Sequence, residues 1–141
     1  MKPFKIKEAY FDAESGESRV TLFTDMGEIT QKAKLHPDDC DAPSQYFGCR
    51  IAEKRCVVKY CKRRAAQAMA EYHTLETFYR NMRDTRNYNP SDFYVTQLII
   101  QMSDKKGHAE MWKKRAATVA AEIQVDIATR DAMLKQKGGK E

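Results

Sequence analysis

The sequence predicts an α+β fold, in which an N-terminal three-stranded antiparallel sheet is followed by two long antiparallel helices. Two observations support this prediction. Residues 1–35 alternate apolar and charged side chains between glycine-containing turns, as antiparallel strands do. Residues 44–84 and 90–136 instead repeat apolar side chains at helical spacing, which is typical of long packed helices. A chain of 141 residues is expected to form a single domain, residues 1–141.

The N-terminal segment predicts three short strands joined by two tight turns. Residues 4–11, FKIKEAYF, alternate apolar and charged side chains and lead into a turn at which Gly16 can take a positive φ angle. Residues 18–24, SRVTLFT, form the second predicted strand, and residues 28–35, EITQKAKL, form the third. Strands in this order predict a meander with one face to be covered by the rest of the chain.

A polar linker separates the sheet from the first helix. Residues 36–44, HPDDCDAPS, contain two prolines and three aspartates, and Ser44 or Asp41 is the predicted N-cap. The helix over residues 44–84 would be roughly 60 Å long, because an α-helix rises about 1.5 Å per residue. Its heptad positions are Ile51, Val58, Ala65, Tyr72 and Tyr79, with Cys61, Ala68, Leu75 and Met82 at the companion position.

An asparagine–proline pair separates the two helices. Proline disfavours helical backbone at Asn89, and Ser91 or Asn89 can cap a second helix that has Asp92 in its first turn. Gly107 interrupts the apolar stripe of this helix and is expected to kink it. The stripe consists of Val95, Leu98, Ile99, Met102, Ala109, Trp112, Ala116, Val119, Ile123 and Ile127.

The two helices, joined by a short turn, are expected to pair as an antiparallel hairpin. Such a hairpin is too thin to bury apolar stripes on both sides within one chain. We therefore expect further copies of the chain to cover the stripes, in a homo-oligomer of at least two subunits.

Charge, cysteines and hydropathy restrict the class of protein. The formal net charge of +5 can attract an anion, but a modest excess spread over helical surfaces is also typical of a solvated face. The four cysteines form no CxxC pair, which argues against a metal site and favours buried thiols in a reducing cytoplasm. The sequence has neither an N-terminal apolar signal segment nor a run of eighteen apolar residues, so we expect a cytoplasmic protein without a membrane partner.

No catalytic constellation is evident in the sequence. The three histidines lie far apart and match no HExxH spacing, and no glycine-rich phosphate loop is present. We therefore expect a protein that is not an enzyme and that has no catalytic residue, metal or cofactor. A phosphate ligand would have to be held by arginines, lysines and helix N-termini.

The start of the first helix is one candidate anion site. Gly48, Arg50, Lys54 and Arg55 cluster there, where unpaired backbone N–H groups and the helix dipole favour negative charge. The alternative is structural: Arg50 and Lys54 would pair with Glu53 and with the aspartates of the linker.

The end of the first helix is a second candidate. Residues 78–90, FYRNMRDTRNYNP, combine aromatic rings that can stack on a base, amides that can bind its edge and guanidinium groups that can bind phosphates. The alternative is a helix-capping turn with Tyr79 in the heptad core. Residues 59–64, KYCKRR, are basic enough to suggest nucleic acid, but AAQAMAE follows directly, and a solvated helix face is the preferred interpretation.

Several motifs resemble one family. The stretch EAYFDAESGESRVTLFTDMGEITQKAKLHPDD, followed by YFGCRIAEKR and later by NMRDTRNYNP, resembles small phage and prophage proteins that include the type 1 Thoeris anti-defence proteins. The resemblance is strongest over residues 8–56, weaker over residues 75–95, and absent beyond Trp112. It implies a sponge that sequesters cyclic nucleotide immune signals, above all cyclic ADP-ribose isomers, without cleaving them. It also implies homo-oligomers as large as hexamers, and in some members a separate site for the cyclic oligonucleotides of CBASS-type defence.

The resemblance implies roles for four residues. Arg50 and Arg55 lie in the GCRIAEKR match and become phosphate candidates, and Phe78 and Asn89 become base or ribose candidates. The extra cysteines and the more basic middle helix of this chain leave the identity of the nucleotide open. The alternative function is a helical, oligomeric, nucleic-acid-binding phage accessory protein, whose affinity would fall far more steeply with salt.

Overall fold

The computed structural model describes residues 4–12, 14–34, 42–85, 88–89 and 92–138. Three strands precede two long helices, which confirms the predicted α+β class. The elements in chain order are β1 (Phe4–Asp12), β2 (Glu17–Thr24), β3 (Gly27–Lys34), α1 (Ala42–Arg83) and α2 (Phe93–Gly138).

The strands form the predicted antiparallel meander in the order β1-β2-β3. The β1–β2 turn has Gly16 at φ 73° and the β2–β3 turn has Gly27 at φ 98°, a left-handed conformation that glycine adopts without steric cost. Thr21 lies opposite Thr30, and their hydroxyls are 2.8 Å apart. These tight turns fix the register in which β2 pairs with its neighbours.

The cap of α2 differs from the prediction. The Asp92 carboxylate accepts a hydrogen bond of 2.8 Å from the Tyr94 N–H, so Asp92 itself is the N-cap rather than a first-turn residue behind Ser91 or Asn89. Asn89 contributes its carbonyl, which accepts from the Asp92 N–H. At the other helix, α1 begins at Ala42, so Ser44 is inside the first turn, and Asp41 lies outside the described residues.

The contacts of the chain fall into two compact units, and the expectation of a single domain stays a prediction. The first unit consists of Met1–Tyr60 and Ala116–Glu141. In this unit the sheet packs on the start of α1. Val20, Leu22 and Ile29 from the strands are buried, as are Ile51, Ala52, Cys56 and Tyr60 from the helix. The Cys56 thiol donates to the Val20 carbonyl at 3.3 Å, which shows how closely α1 approaches the sheet.

The second unit consists of Cys61–Arg115, and its helical segments run antiparallel. Arg64 of α1 lies over the Trp112 ring of α2, whereas Glu71, further along α1, forms an ion pair with Lys105, which is earlier in α2. The buried residues of this unit are small or aliphatic: Cys61, Ala65, Ala68, Val95, Leu98 and Ala109. The predicted apolar stripe is less well buried toward the end of α1, where four of its residues are only half-buried: Tyr72, Leu75, Tyr79 and Met82.

Two of the predicted buried thiols are confirmed. Cys56 and Cys61 are buried, Cys49 is half-buried, and Cys40 lies outside the described residues. Burial raises the pKa of the Cys56 and Cys61 thiols because a thiolate would lose its hydration. These two side chains therefore stay protonated and unreactive at neutral pH.

Gly48 is explained by packing. A Cβ at this position would lie 2.3 Å from the Ser18 hydroxyl oxygen and 3.2 Å from the Ser18 Cβ, so only glycine lets α1 approach β2 this closely. Gly107, which was expected to kink α2, lies within an unbroken helix, and a Cβ there would meet nothing within 4 Å.

The two helical glycines are expected to respond in opposite directions to alanine. Gly107→Ala should raise the free energy of unfolding by about 0.5–1 kcal/mol, because alanine loses less backbone entropy in a helix. Gly48→Ala should lower it by about 1–2 kcal/mol, since the clash with buried Ser18 outweighs the same gain. Urea denaturation of both variants measures the two signs. Equal stabilisation by both would contradict the close contact at Gly48.

Candidate functional site

A cleft of about 470 Å³ lies in the second unit, between the end of α1, the connecting turn and the start of α2. Its lining combines aromatic rings, side-chain amides and apolar side chains. The lining residues are Phe78, Met82, Thr85, Tyr88, Asn89, Asp92, Tyr94, Val95, Gln97, Leu98 and Gln101. Rings and amides around a cleft of this size can hold a flat heterocycle by stacking and by hydrogen bonds to its edge.

Local hydrogen bonds position the described residues that connect the two helices beside the cleft. The Thr85 N–H donates to the Met82 carbonyl at 3.1 Å, and the Tyr88 N–H donates to the Thr85 carbonyl at 3.3 Å. The Asp92 cap then starts α2. Tyr88 and Asn89, the described residues between Thr85 and Asp92, line the same cleft as Phe78 of α1.

A tyrosine pair braces one wall of the cleft. The hydroxyls of Tyr79 and Tyr88 are 3.2 Å apart, and their rings meet edge to face at 82°. The hydrogen bond to Tyr79 raises the pKa of Tyr88, and burial adds to this effect. Tyr88 therefore keeps its proton at neutral pH and remains a hydrogen-bond donor.

Phe78 and Asn89 both line this cleft, so the structure brings these two predicted site residues together. Arg80 and Arg83, the described arginines of the same stretch, do not line it. Arg80 forms an ion pair of 2.7 Å with Glu76, and Arg83 lies 3.9 Å from Asp84. Arg86 and Asn87 are outside the described residues. Asp92 is therefore the one charged residue among the described lining residues.

Arg50 has a different partner from the one expected. Its Nε donates to the Asp126 carboxylate of α2 at 3.2 Å, and one of its terminal nitrogens donates to the Tyr46 hydroxyl at 3.0 Å. Lys54 binds the same Asp126 oxygen at 2.8 Å. The Tyr46 hydrogen bond, together with Asp126, raises the pKa of the Arg50 guanidinium. The expected pairing with Glu53 is therefore replaced by a long-range pair within the first unit.

The surroundings of Arg50 are not an electropositive pocket. A cavity of about 350 Å³ beside it is lined by both Arg50 and Lys54, and also by Glu53. Asp126 forms ion pairs with both cations, and the Glu122 carboxylate lies 3.7 Å from the Lys54 ammonium. With three carboxylates near two cations, the local charge does not favour an added anion.

Arg55 lies elsewhere on α1. One of its terminal nitrogens donates to the Lys32 carbonyl at 2.7 Å, which ties the helix to β3. Five residues of α-helix turn through about 500°, so Arg55 is displaced from Arg50 by about 140° around the axis. The structure therefore does not bring these two arginines together, and the first unit contains both of them while the second contains Phe78 and Asn89.

Sequence reasoning missed the α2 side of the cleft. Tyr94, Gln97 and Gln101 recur at spacings of three and four residues, which places them on one helix face. Of the α2 residues that line the cleft, only Val95 and Leu98 belong to the apolar stripe that the sequence predicts. The signal that could have found the others was the combination of an aromatic and two amides on the face beside that stripe.

Within the described residues, no group of three or more histidine, cysteine, aspartate or glutamate side chains is arranged to hold a metal ion. The described helices also lack any stretch that is long and apolar enough to cross a membrane. Comparison of the chain with family models, with curated proteins and with solved structures finds no match.

Proposed function

We propose that this chain is a phage anti-defence protein of the type 1 Thoeris kind, which binds a cyclic nucleotide immune signal in the host cytoplasm and sequesters it without cleaving it. The single observation that supports the proposal is the second-unit cleft. Phe78 and Asn89, the two residues to which the sequence resemblance assigns base or ribose contacts, both line it.

The chemistry of the cleft suits the base of a nucleotide. Phe78 and Tyr94 are exposed aromatic side chains that offer ring faces for stacking. Asn89, Gln97 and Gln101 each offer an amide donor and acceptor, which together can bind the edge of a heterocycle. A volume of about 470 Å³ falls within the range of small-molecule sites.

The phosphates of such a ligand would lie outside the cleft lining, because the only charged lining residue described is Asp92. Arg50 and Arg55 stay predictions as phosphate ligands. Their hydrogen bonds to Asp126 and to the Lys32 carbonyl favour structural roles within the first unit.

Self-association is part of the proposal. Several apolar side chains outside the cleft are exposed at the start of α2, where a second copy of the chain could cover them: Phe93, Ile99 and Ile100. Burial of such side chains would stabilise an oligomer by the hydrophobic effect, with little dependence on salt. The sequence resemblance implies up to six subunits.

Native mass spectrometry tests stoichiometry and ligand together. After incubation with cyclic ADP-ribose isomers and cyclic dinucleotides, we expect an oligomer mass increased by the intact ligand. Heat denaturation should then release the ligand unchanged. Phe78→Ala should weaken binding about tenfold in calorimetric titration, because stacking on an aromatic ring contributes roughly 1–3 kcal/mol per base.

Phe23→Ala is the matched control. Phe23 is 56% exposed and Phe78 is 62% exposed, but only Phe78 lines the cleft, so Phe23→Ala should leave the affinity unchanged. Absence of a nucleotide adduct on the wild-type chain would refute the proposal. Recovery of a hydrolysed ligand would refute sequestration and indicate an enzyme.

A further inference from the structure

A second feature of the Cys61–Arg115 unit is a cluster of six cationic side chains, termed here the basic cluster. It consists of Lys62, Arg63 and Arg64 on α1 with Lys113, Lys114 and Arg115 on α2. Trp112 joins the two segments, since the guanidinium of Arg64 lies 5.8 Å from its ring centroid and that of Arg115 lies 4.9 Å from it. Through these contacts, two basic runs that are fifty residues apart in sequence lie side by side.

The positive charge of this unit is concentrated at the basic cluster. Residues 61–70 and 111–115 contain six lysines and arginines and no aspartate or glutamate. Residues 71–110 contain five basic and six acidic residues. The charge of this unit is therefore asymmetric, with a positive end and a remainder close to neutral, which concentrates the positive electrostatic potential at that end.

Four members of the cluster carry charge that no described side chain neutralises. Lys62, Arg63, Lys113 and Arg115 are exposed, and none of these four forms an ion pair with a residue in the described part of the chain. Lys105 shows the contrast, because Glu71 pairs with it. Cation–π contact with Trp112 orients the guanidinium of Arg115 without removing its charge.

We propose that the basic cluster binds the phosphate backbone of duplex nucleic acid, at a site separate from the cleft. The four exposed cations without an ion pair, two on each helix, can each contact a phosphate and release its counterions. Stacking of a base on Trp112 is disfavoured because the guanidinium groups of Arg64 and Arg115 already lie over its ring. Helices that bind a membrane surface combine basic residues with a broad exposed apolar face. Among the large apolar residues of 61–70 and 111–115, only Met111 is exposed. A membrane surface is therefore a poorer partner for this cluster than nucleic acid.

Fluorescence anisotropy with a labelled duplex of about 20 base pairs and mixed sequence tests this inference on the full chain. The wild-type affinity should fall steeply between about 50 and 200 mM salt and should not depend on sequence. The variant Lys62→Gln/Arg63→Gln/Lys113→Gln should bind at least tenfold more weakly at the lower salt. Its slope of log affinity against log salt should be shallower by about 3, since each phosphate contact contributes roughly 0.9.

A charge-matched variant separates the cluster from net charge. Lys34→Gln/Lys106→Gln/Lys135→Gln removes the same charge from exposed lysines outside the basic cluster, and should retain most of the affinity and the wild-type slope. Equal losses in both triple variants would overturn the site. Tighter binding to vesicles that contain phosphatidylserine than to the duplex would also overturn it. Neither triple variant alters the cleft, so the nucleotide titration with Phe78→Ala tests the proposed function independently.

Discussion

Replacing Tyr60 with alanine is expected to lower the free energy of unfolding by about 4 kcal/mol, because removal of a large buried side chain leaves a cavity that the core only partly fills. Tyr60 is the largest fully buried side chain among the described residues, with 0% of its surface exposed. Its ring lies in the core of the first unit, where α1 packs against the sheet. Urea denaturation followed by circular dichroism measures the loss.

The hydroxyl of Tyr60 can be tested separately from its ring. It donates a hydrogen bond of 2.8 Å to the Asp25 carboxylate in the turn between β2 and β3. Tyr60→Phe keeps the ring and should cost only about 1–2 kcal/mol, since exposed Asp25 can regain water. If Tyr60→Phe were as destabilising as Tyr60→Ala, the hydrogen bond rather than core packing would be the main contribution.

Asp126→Asn is the second substitution with a large expected effect, a loss of about 2–4 kcal/mol in the free energy of unfolding. The Asp126 side chain is only 10% exposed and binds both Arg50 and Lys54. Without the negative charge of Asp126, the largely buried Lys54 ammonium would keep only the exposed Glu122 carboxylate, at 3.7 Å. Removal of one partner of a buried ion pair costs several kcal/mol. Thermal and urea unfolding of the variant measure this loss.

Glu122→Gln is the control for Asp126→Asn. Glu122 also lies near the Lys54 ammonium, at 3.7 Å, but its side chain is 53% exposed. Exposed ion pairs contribute little, so we expect a change of about 0.5 kcal/mol or less. Similar losses of stability in the two variants would show that burial does not decide the strength of the ion pairs that Lys54 forms with Asp126 and Glu122. Little change in Asp126→Asn would leave Arg50 free for a ligand, as the sequence resemblance implies.

Local patterns were sufficient to predict the secondary structure. Alternation and turn glycines defined the strands, and heptad spacing defined both helices to within three residues of their ends. The predicted N-cap of α2 was wrong because Asn89, Ser91 and Asp92 are all good capping residues. Sequence alone does not decide which of these neighbours accepts hydrogen bonds from the first N–H groups of the helix.

The tertiary partners could not be predicted in the same way. Arg50 pairs with a carboxylate 76 residues away, whereas the sequence drew attention to Glu53 and the nearby aspartates. Phe78 and Asn89 were found as a pair because they lie in one short stretch, but Gln97 and Gln101 were missed since amides on a helix surface are common wherever a helix meets water. The run at residues 59–64 was assigned to a solvated face because the uncharged stretch AAQAMA follows it directly, and the second basic run, residues 113–115, is distant in the chain.

The position of Trp112 has a spectroscopic consequence. It is the single tryptophan of the chain and belongs to the Cys61–Arg115 unit, so its emission follows that unit alone. Circular dichroism at 222 nm, a wavelength at which helices dominate the signal, instead averages over both units. Coincident melting curves from the two signals would indicate one cooperative transition, and separate curves would indicate that each unit unfolds at its own temperature. Because Arg115 lies against the indole, the same emission offers a label-free signal of any polyanion that draws this guanidinium away.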